Sequence, residues 1–241
     1  MRGATATVIS VLLLFLCGIA AAQTNVAAPK LDGEGKIDCE FLRAHQAFLE
    51  RGKDPAVRLL FIGDSITKGW DWGDQKPLWD RYFAQYGAAN FGIGGDRTEH
   101  VLWRIENGEL DRVKPEVVVL LIGTNNIGST AGEIVRGVTA VVESIRARMP
   151  DSRLVLMGIF PRGAAADDPS RAKVREVNMG LAKLAGGNVV FLDIGSQFLA
   201  PDGTLPKDIM PDALHLSFKG YEIWAEALSP LLEQLMNAAP R

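Results

Sequence analysis

Leu59-Leu60-Phe61-Ile62-Gly63-Asp64-Ser65-Ile66-Thr67 is an apolar run that stops abruptly at Gly-Asp-Ser. The run reads as a buried strand. Its end places a hydroxyl at the carboxyl edge of a sheet, where open α/β folds hold their ligands. Working outward, four more strands are expected, over 88–93, 116–122, 154–158 and 189–192, with the first over 57–62. The third carries Val-Val-Val-Leu-Leu-Ile, the unbroken hydrophobicity of a strand covered on both faces. Helical spacing fits between the strands, over 76–83, 98–107, 131–149, 170–184 and 217–236, and over 39–51 ahead of the first; Ser217 is placed to cap the last helix. Regular alternation of this kind predicts a parallel sheet with helices on both faces.

Composition agrees with one globular domain that has a substantial core. The chain has 241 residues, 47% hydrophobic and 23% charged, with a net charge of −3 and acids and bases interspersed. No basic stripe points to nucleic acid, and no polybasic segment points to an anionic membrane. No cluster of His, Cys, Asp and Glu has metal-ligand spacing, so neither a metal nor another cofactor is expected.

The N-terminus reads differently. Arg2 precedes a short apolar run over 8–19, and Ala20-Ala21-Ala22 offers small residues for cleavage. Residues 1–22 thus read as a signal peptide and predict a secreted or periplasmic protein with no stable membrane insertion once the peptide is removed. Residues 23–38 are small, polar and Gly-rich; with the helix that follows, 23–52 reads as linker and N-terminal helix, leaving 53–241 as the α/β domain. Removal of the peptide takes Cys17 with it and leaves Cys39 alone, which forbids an internal disulfide.

Polar or glycine-rich sequence follows each of the first three strands: Gly63-Asp64-Ser65, then Gly92-Ile93-Gly94-Gly95-Asp96-Arg97-Thr98, then Gly123-Thr124-Asn125-Asn126. In a parallel sheet these loops share one edge, and the segment carrying Asp212 and His215 can fold over it just before the last helix. Serine needs a neutral imidazole to take its proton, and the imidazole needs a carboxylate to hold its tautomer. Ser65, His215 and Asp212 supply that set. Charge developing on an ester oxygen needs preorganised donors, for which the Ser65 N–H, the Gly95 N–H and the Asn125 carboxamide are placed. Asp193, at the end of the fifth strand, is the rival acid. Asp64 reads as a loop-bracing acceptor, His100 as structural and His45 as a solvated residue of an amphipathic helix. Trp70, Trp72, Trp79 and Trp103 read as core or pocket wall, with Trp70 and Trp72 near enough to the nucleophile to border an acyl or sugar pocket.

These blocks resemble those of the SGNH (GDSL) hydrolase superfamily over about residues 57–236. Asn90-Phe91-Gly92-Ile93-Gly94-Gly95-Asp96-Arg97-Thr98-Glu99-His100-Val101-Leu102-Trp103-Arg104 is similar in particular to the catalytic subunits of intracellular platelet-activating-factor acetylhydrolases. The resemblance implies a three-layer α/β/α sandwich with a flavodoxin-like five-stranded parallel sheet. It also implies a serine esterase preferring short (acetyl) groups, with nucleophile Ser65, acid and base Asp212 and His215, oxyanion donors Gly95 and Asn125, and a homodimer. Two positions depart from the superfamily pattern: Ile66 stands where Leu is usual, and Asn126 where Asp is commoner. The substrate expected is a small-molecule or polysaccharide ester. The alternatives are a carbohydrate O-acetylesterase, or a non-catalytic carbohydrate- or lipid-binding protein on the same scaffold.

Overall fold

Runs of four or five apolar residues can be buried on both faces only where helices cover both sides of a sheet, and that is the arrangement found. The computed structural model describes residues 23–237. Strands β1 (Leu59–Gly63), β2 (Ala88–Gly92), β3 (Val117–Leu121), β4 (Arg153–Met157) and β5 (Val189–Leu192) form one sheet in the order β2-β1-β3-β4-β5. Every pairing is parallel and in register, Leu59 opposite both Ala88 and Val117. This is the flavodoxin-like order, and the strand order reverses between β1 and β3.

The pleat sends alternate residues into two cores. Leu60, Ile62, Val118, Leu120, Leu154 and Leu156 meet α4 (Thr98–Glu106), α5 (Ala131–Arg148) and α6 (Pro169–Leu181). Leu59, Phe61, Val117, Val119, Leu121 and Val155 face α3 (Lys76–Phe83) and α7 (Phe218–Asn237). Each such aliphatic side chain contributes about 1.5–3 kcal/mol by leaving water. The second core is aromatic: Trp70 has its ring centroid 4.6 Å from Tyr221, 5.2 Å from Trp224 and 5.2 Å from Phe83. Trp70 is thus core, not pocket wall. Ser217 caps α7, its hydroxyl accepting from the Gly220 N–H at 3.2 Å. No helix among the described residues is long and apolar enough to cross a membrane.

Helix α1 (Cys39–Arg51) lies against α4, and His45 on it is buried, contrary to the expectation of a solvated ring. Its ring sits 5.3 Å from that of Trp103, with Nε2 3.2 Å from the Asn107 carbonyl. The reason is that α1 packs its amphipathic face on the end of α4. Residues 23–38 also run along the body. Thr24 donates to the Glu133 carbonyl at 2.6 Å and accepts from the Thr98 hydroxyl at 2.6 Å, and the Ala28 N–H meets the Glu99 carbonyl at 3.1 Å.

One α-helix has no counterpart in the sequence reading. Ser65–Lys68 forms a single turn, α2, capped by Asp64, whose carboxylate accepts from the Ile66 N–H at 2.9 Å. This turn crosses the end of β2 so closely that a Cβ on Gly92 would overlap the backbone nitrogen of Lys68. Backbone cannot yield as a flexible side chain can. Gly92→Ala is therefore expected to cost about 2–4 kcal/mol, lowering Tm by roughly 5–15 °C in thermal denaturation. An unchanged Tm would show that α2 can lift away from β2.

Candidate active site

The loops after β1, β2 and β3 emerge beside the reversal in strand order, and the segment before α7 folds over them. Ser65, half-buried at the start of α2, has its Oγ 3.0 Å from His215 Nε2. His215 Nδ1 lies 2.7 Å from Asp212 Oδ2. The other carboxylate oxygen, Oδ1, accepts from the His215 N–H at 2.7 Å and the Leu214 N–H at 3.1 Å. Burial works to raise the Asp212 carboxyl, but the hydrogen bonds from the His215 ring and from the two backbone N–H groups hold it below the ordinary carboxylate value. The local backbone makes this wrap possible: Ala213 sits at φ 59°, the single non-glycine residue with positive φ among those described.

The expected oxyanion donors gather at the same edge. Gly95 is exposed at φ 73°, a conformation that favours glycine. Asn125 is half-buried, and its Nδ2 spends one hydrogen on the Asp96 carbonyl at 2.8 Å. The neighbouring Asn126 explains its own departure from Asp. Its Oδ1 accepts from the Thr98 N–H at 3.0 Å, while its Nδ2 donates to Glu99 Oε2 at 2.9 Å. A carboxylate could fill the first role but would face the Glu99 carboxylate in the second.

Asp193 is not brought to the imidazole. Its Oδ2 accepts from Asn178 Nδ2 at 3.0 Å and its Oδ1 from the Gly195 N–H at 2.8 Å, so it braces the end of β5. His100 accepts from the Arg97 N–H at 3.1 Å, and burial pushes it down to about 4, leaving a neutral ring in a structural role. Trp72 is 41% exposed, and its ring centroid lies 6.1 Å from that of His215. Two contributors went unread in the sequence. Arg104, wholly buried, reaches Asp96 Oδ2 at 3.1 Å and Glu109 Oε2 at 2.7 Å, and Lys30 reaches the Gly94 carbonyl at 2.6 Å. Nothing in their spacing distinguishes them from the solvated cations of an ordinary helix face or loop.

The sequence matches the GDSL-like lipase/acylhydrolase family over residues 61–223. It is 41% identical over 210 residues to platelet-activating factor acetylhydrolase IB subunit alpha1 of Homo sapiens, covering 86% of this chain and 88% of that one. With subunit alpha2 of Rattus norvegicus the identity is 39% over 207 residues, covering 84% and 88%. Among solved structures, an acetyl xylan esterase aligns at a TM-score of 0.61 and 22% identity, covering 73% of this chain and all of that one; it shares the fold. These relatives overturn the expected secreted or periplasmic location, since the acetylhydrolase IB subunits are intracellular enzymes. The export reading rested on a short apolar run behind a single arginine, a thin charge for a signal, and the segment lies outside the described residues.

Asp64 allows a test of this edge through pH. Its carboxyl is 1% exposed and Oδ2 has no partner; burial pushes it up from 3.8 to about 7. Between those values the native state keeps a proton that the unfolded chain releases, so the contribution of Asp64 to stability falls as pH rises through that window. Asp64→Asn retains an acceptor for the Ile66 N–H and does not titrate. The Tm difference, variant minus wild type, is therefore expected to grow more positive from pH 5 to pH 8, by about 1–4 kcal/mol in stability terms. Using a difference removes the background from groups that do not interact with Asp64, His100 among them. A pH-independent difference would show that Asp64 is ionised throughout.

Proposed function

This chain belongs to the GDSL-like lipase/acylhydrolase family and is an ester hydrolase, and on that premise we propose that it hydrolyses short-chain (acetyl) esters through an acyl-enzyme formed on Ser65. One observation carries the reading: the Ser65 hydroxyl, the His215 ring and the Asp212 carboxylate form an unbroken line of contacts at 3.0 and 2.7 Å. Ser65 Oγ attacks the carbonyl carbon while His215 Nε2 takes its proton. Asp212 holds the proton on Nδ1 and steadies the cation that forms. The oxygen that gains charge accepts from the Ser65 N–H, the Gly95 N–H and the free hydrogen of the Asn125 carboxamide. His215 then protonates the leaving alkoxide, the C–O bond breaks, and water repeats the sequence to release the acid.

An acetyl preference rests on the relatives named acetylhydrolases. A second reading, a carbohydrate O-acetylesterase, is favoured by Trp72. An indole left exposed beside the general base offers a flat apolar face on which a sugar ring can lie as the leaving group. Acetylated xylo-oligosaccharide and a short-chain acetyl phospholipid, offered side by side, separate the two readings. If the sugar reading holds, Trp72→Ala raises KM for the oligosaccharide and leaves p-nitrophenyl acetate turnover unchanged.

Ser65→Ala is expected to remove p-nitrophenyl acetate hydrolysis by several orders of magnitude without loss of fold. Asp212→Asn should lower kcat by about 10³-fold or more, because the amide favours the wrong tautomer, whereas Asp193→Asn should stay within roughly tenfold of wild type. A larger loss from Asp193→Asn would place the acid on the other loop. Across an ester series, rates should fall steeply from acetyl to octanoyl, since each added methylene must find room or remain in water. Equal rates would point to a lipase-like pocket.

A further inference from the structure

The donor loop after β2 has an intrinsic weakness. Ile93–Asp96 is a tight turn, closed by the Asp96 N–H on the Ile93 carbonyl at 3.2 Å, with Gly95 in third position at φ 73°. That is the type II pattern. Types I and II interconvert by rotation of the central peptide, here the one joining Gly94 to Gly95. Side chains usually bias that choice. With glycine at both central positions, neither orientation is sterically enforced.

The orientation matters because a trans peptide is planar, with its C=O and N–H pointing in opposite directions. The Gly94 carbonyl and the Gly95 N–H belong to the same unit. Fixing one fixes the other. Lys30 Nζ donates to the Gly94 carbonyl at 2.6 Å and lies 3.2 Å from where a Cβ on Gly95 would sit. Lys30 is itself held in place. Its carbonyl accepts from the Asp38 N–H at 2.8 Å, and Ala28, two residues earlier, is tied to Glu99. Leu31 bridges to Ile37 on the other side.

We propose that Lys30 is a positioning residue for ester hydrolysis: its ammonium locks and polarises the Gly94–Gly95 peptide so that the Gly95 N–H is presented to the developing oxyanion. A cation on the carbonyl end draws electron density through the amide, which strengthens the N–H as a donor at the other end. The effect is greatest when the oxyanion is fully charged. Lys30 therefore acts on the transition state more than on the bound ester, and it does so from a segment whose composition reads as a linker. The inference rests on the reading of Ser65 as nucleophile and of Gly95 as an oxyanion donor.

The test compares kcat and KM for p-nitrophenyl acetate in wild type, Lys30→Met, Lys30→Arg, Thr24→Val and Ser65→Ala, with Tm measured for each. Lys30→Met is expected to lower kcat about tenfold with KM within about twofold, and Lys30→Arg to recover most of the loss by keeping a cationic donor on Gly94. Thr24→Val loosens the same segment by removing the hydroxyl that donates to the Glu133 carbonyl, while the Thr24 carbonyl still accepts from Thr98; it should lower Tm while kcat stays within about twofold. If Lys30→Met keeps wild-type kcat while Ser65→Ala is inactive, the role of Lys30 is overturned and the nucleophile assignment stands. If Thr24→Val loses as much kcat as Lys30→Met, or Lys30→Arg recovers nothing, the segment is structural and the proposal is wrong. Turnover surviving in Ser65→Ala would remove the nucleophile assignment, and the role of Lys30 with it.

Discussion

The candidate site depends on the buried guanidinium of Arg104. This side chain has no exposed surface and meets two carboxylates, Asp96 at 3.1 Å and Glu109 at 2.7 Å, as well as the Phe91 carbonyl at 3.0 Å. A charge withdrawn from water costs several kcal/mol unless it is paired and hydrogen-bonded, and removing one partner of a buried pair typically costs about 3–5 kcal/mol. The network is therefore weak evidence for stability; what it does is tie three separate segments to one side chain. Its partners are the end of β2, the Ile93–Asp96 turn and the loop after α4. Movement of any one of them takes a partner from the guanidinium.

A second constraint is the closeness of backbone to backbone at the sheet edge. The single turn that carries Ser65 lies on β2 where Gly92 leaves room for Lys68, and Tyr221 from α7 occupies the space a side chain on Gly69 would take. The Tyr221 hydroxyl reaches the Ile66 carbonyl at 2.7 Å, so the turn is held from both sides. The two asparagines after β3 divide their work in the same economical way. Asn125 faces the open edge, while Asn126 points inward and uses both ends of its carboxamide to tie Thr98 and Glu99 to the loop.

The sheet and the loops at its edge were legible in the sequence. Strands buried on both faces advertise themselves as unbroken apolar runs, and the edge loops as the polar breaks that end them, so Ser65, Gly95 and Asn125 could be placed together from topology alone. Asp212 and His215 followed from the chemistry a serine requires. What was missed lacks periodicity or carries a misleading composition. A helix of four residues is too short to show a repeat. His45 and Arg104 belong to polar residue types that on a helix normally meet water, and their burial is set by elements remote in sequence. Residues 23–38 have the composition of a linker, yet they are held by backbone and hydroxyl hydrogen bonds that no residue type announces.

The bracing extends across the whole edge. The Ala213 carbonyl, between Asp212 and His215, accepts from the Gly163 N–H at 3.0 Å. Next to Gly163, the Arg162 guanidinium donates to the Thr124 carbonyl at 2.8 Å, one residue before Asn125. Asn125 in turn reaches the Asp96 carbonyl, and the turn containing Asp96 is pinned by Arg104 and Lys30. A continuous chain of contacts thus runs from the Asp212–His215 loop to the Ile93–Asp96 turn. Each link joins loops from different strands, so their relative positions are set before any ester arrives. A left-handed Ala213 costs on the order of 1 kcal/mol, a strain that persists only where its surroundings over-determine it. Here they do: the residue is held through both its carbonyl and its N–H, the latter on Met210 at 3.0 Å. Under the proposed assignment of Gly95 and Asn125 as oxyanion donors, loops that constrain one another let those donors meet a developing charge without reorganising at the moment of reaction, the condition under which electrostatic stabilisation is most effective.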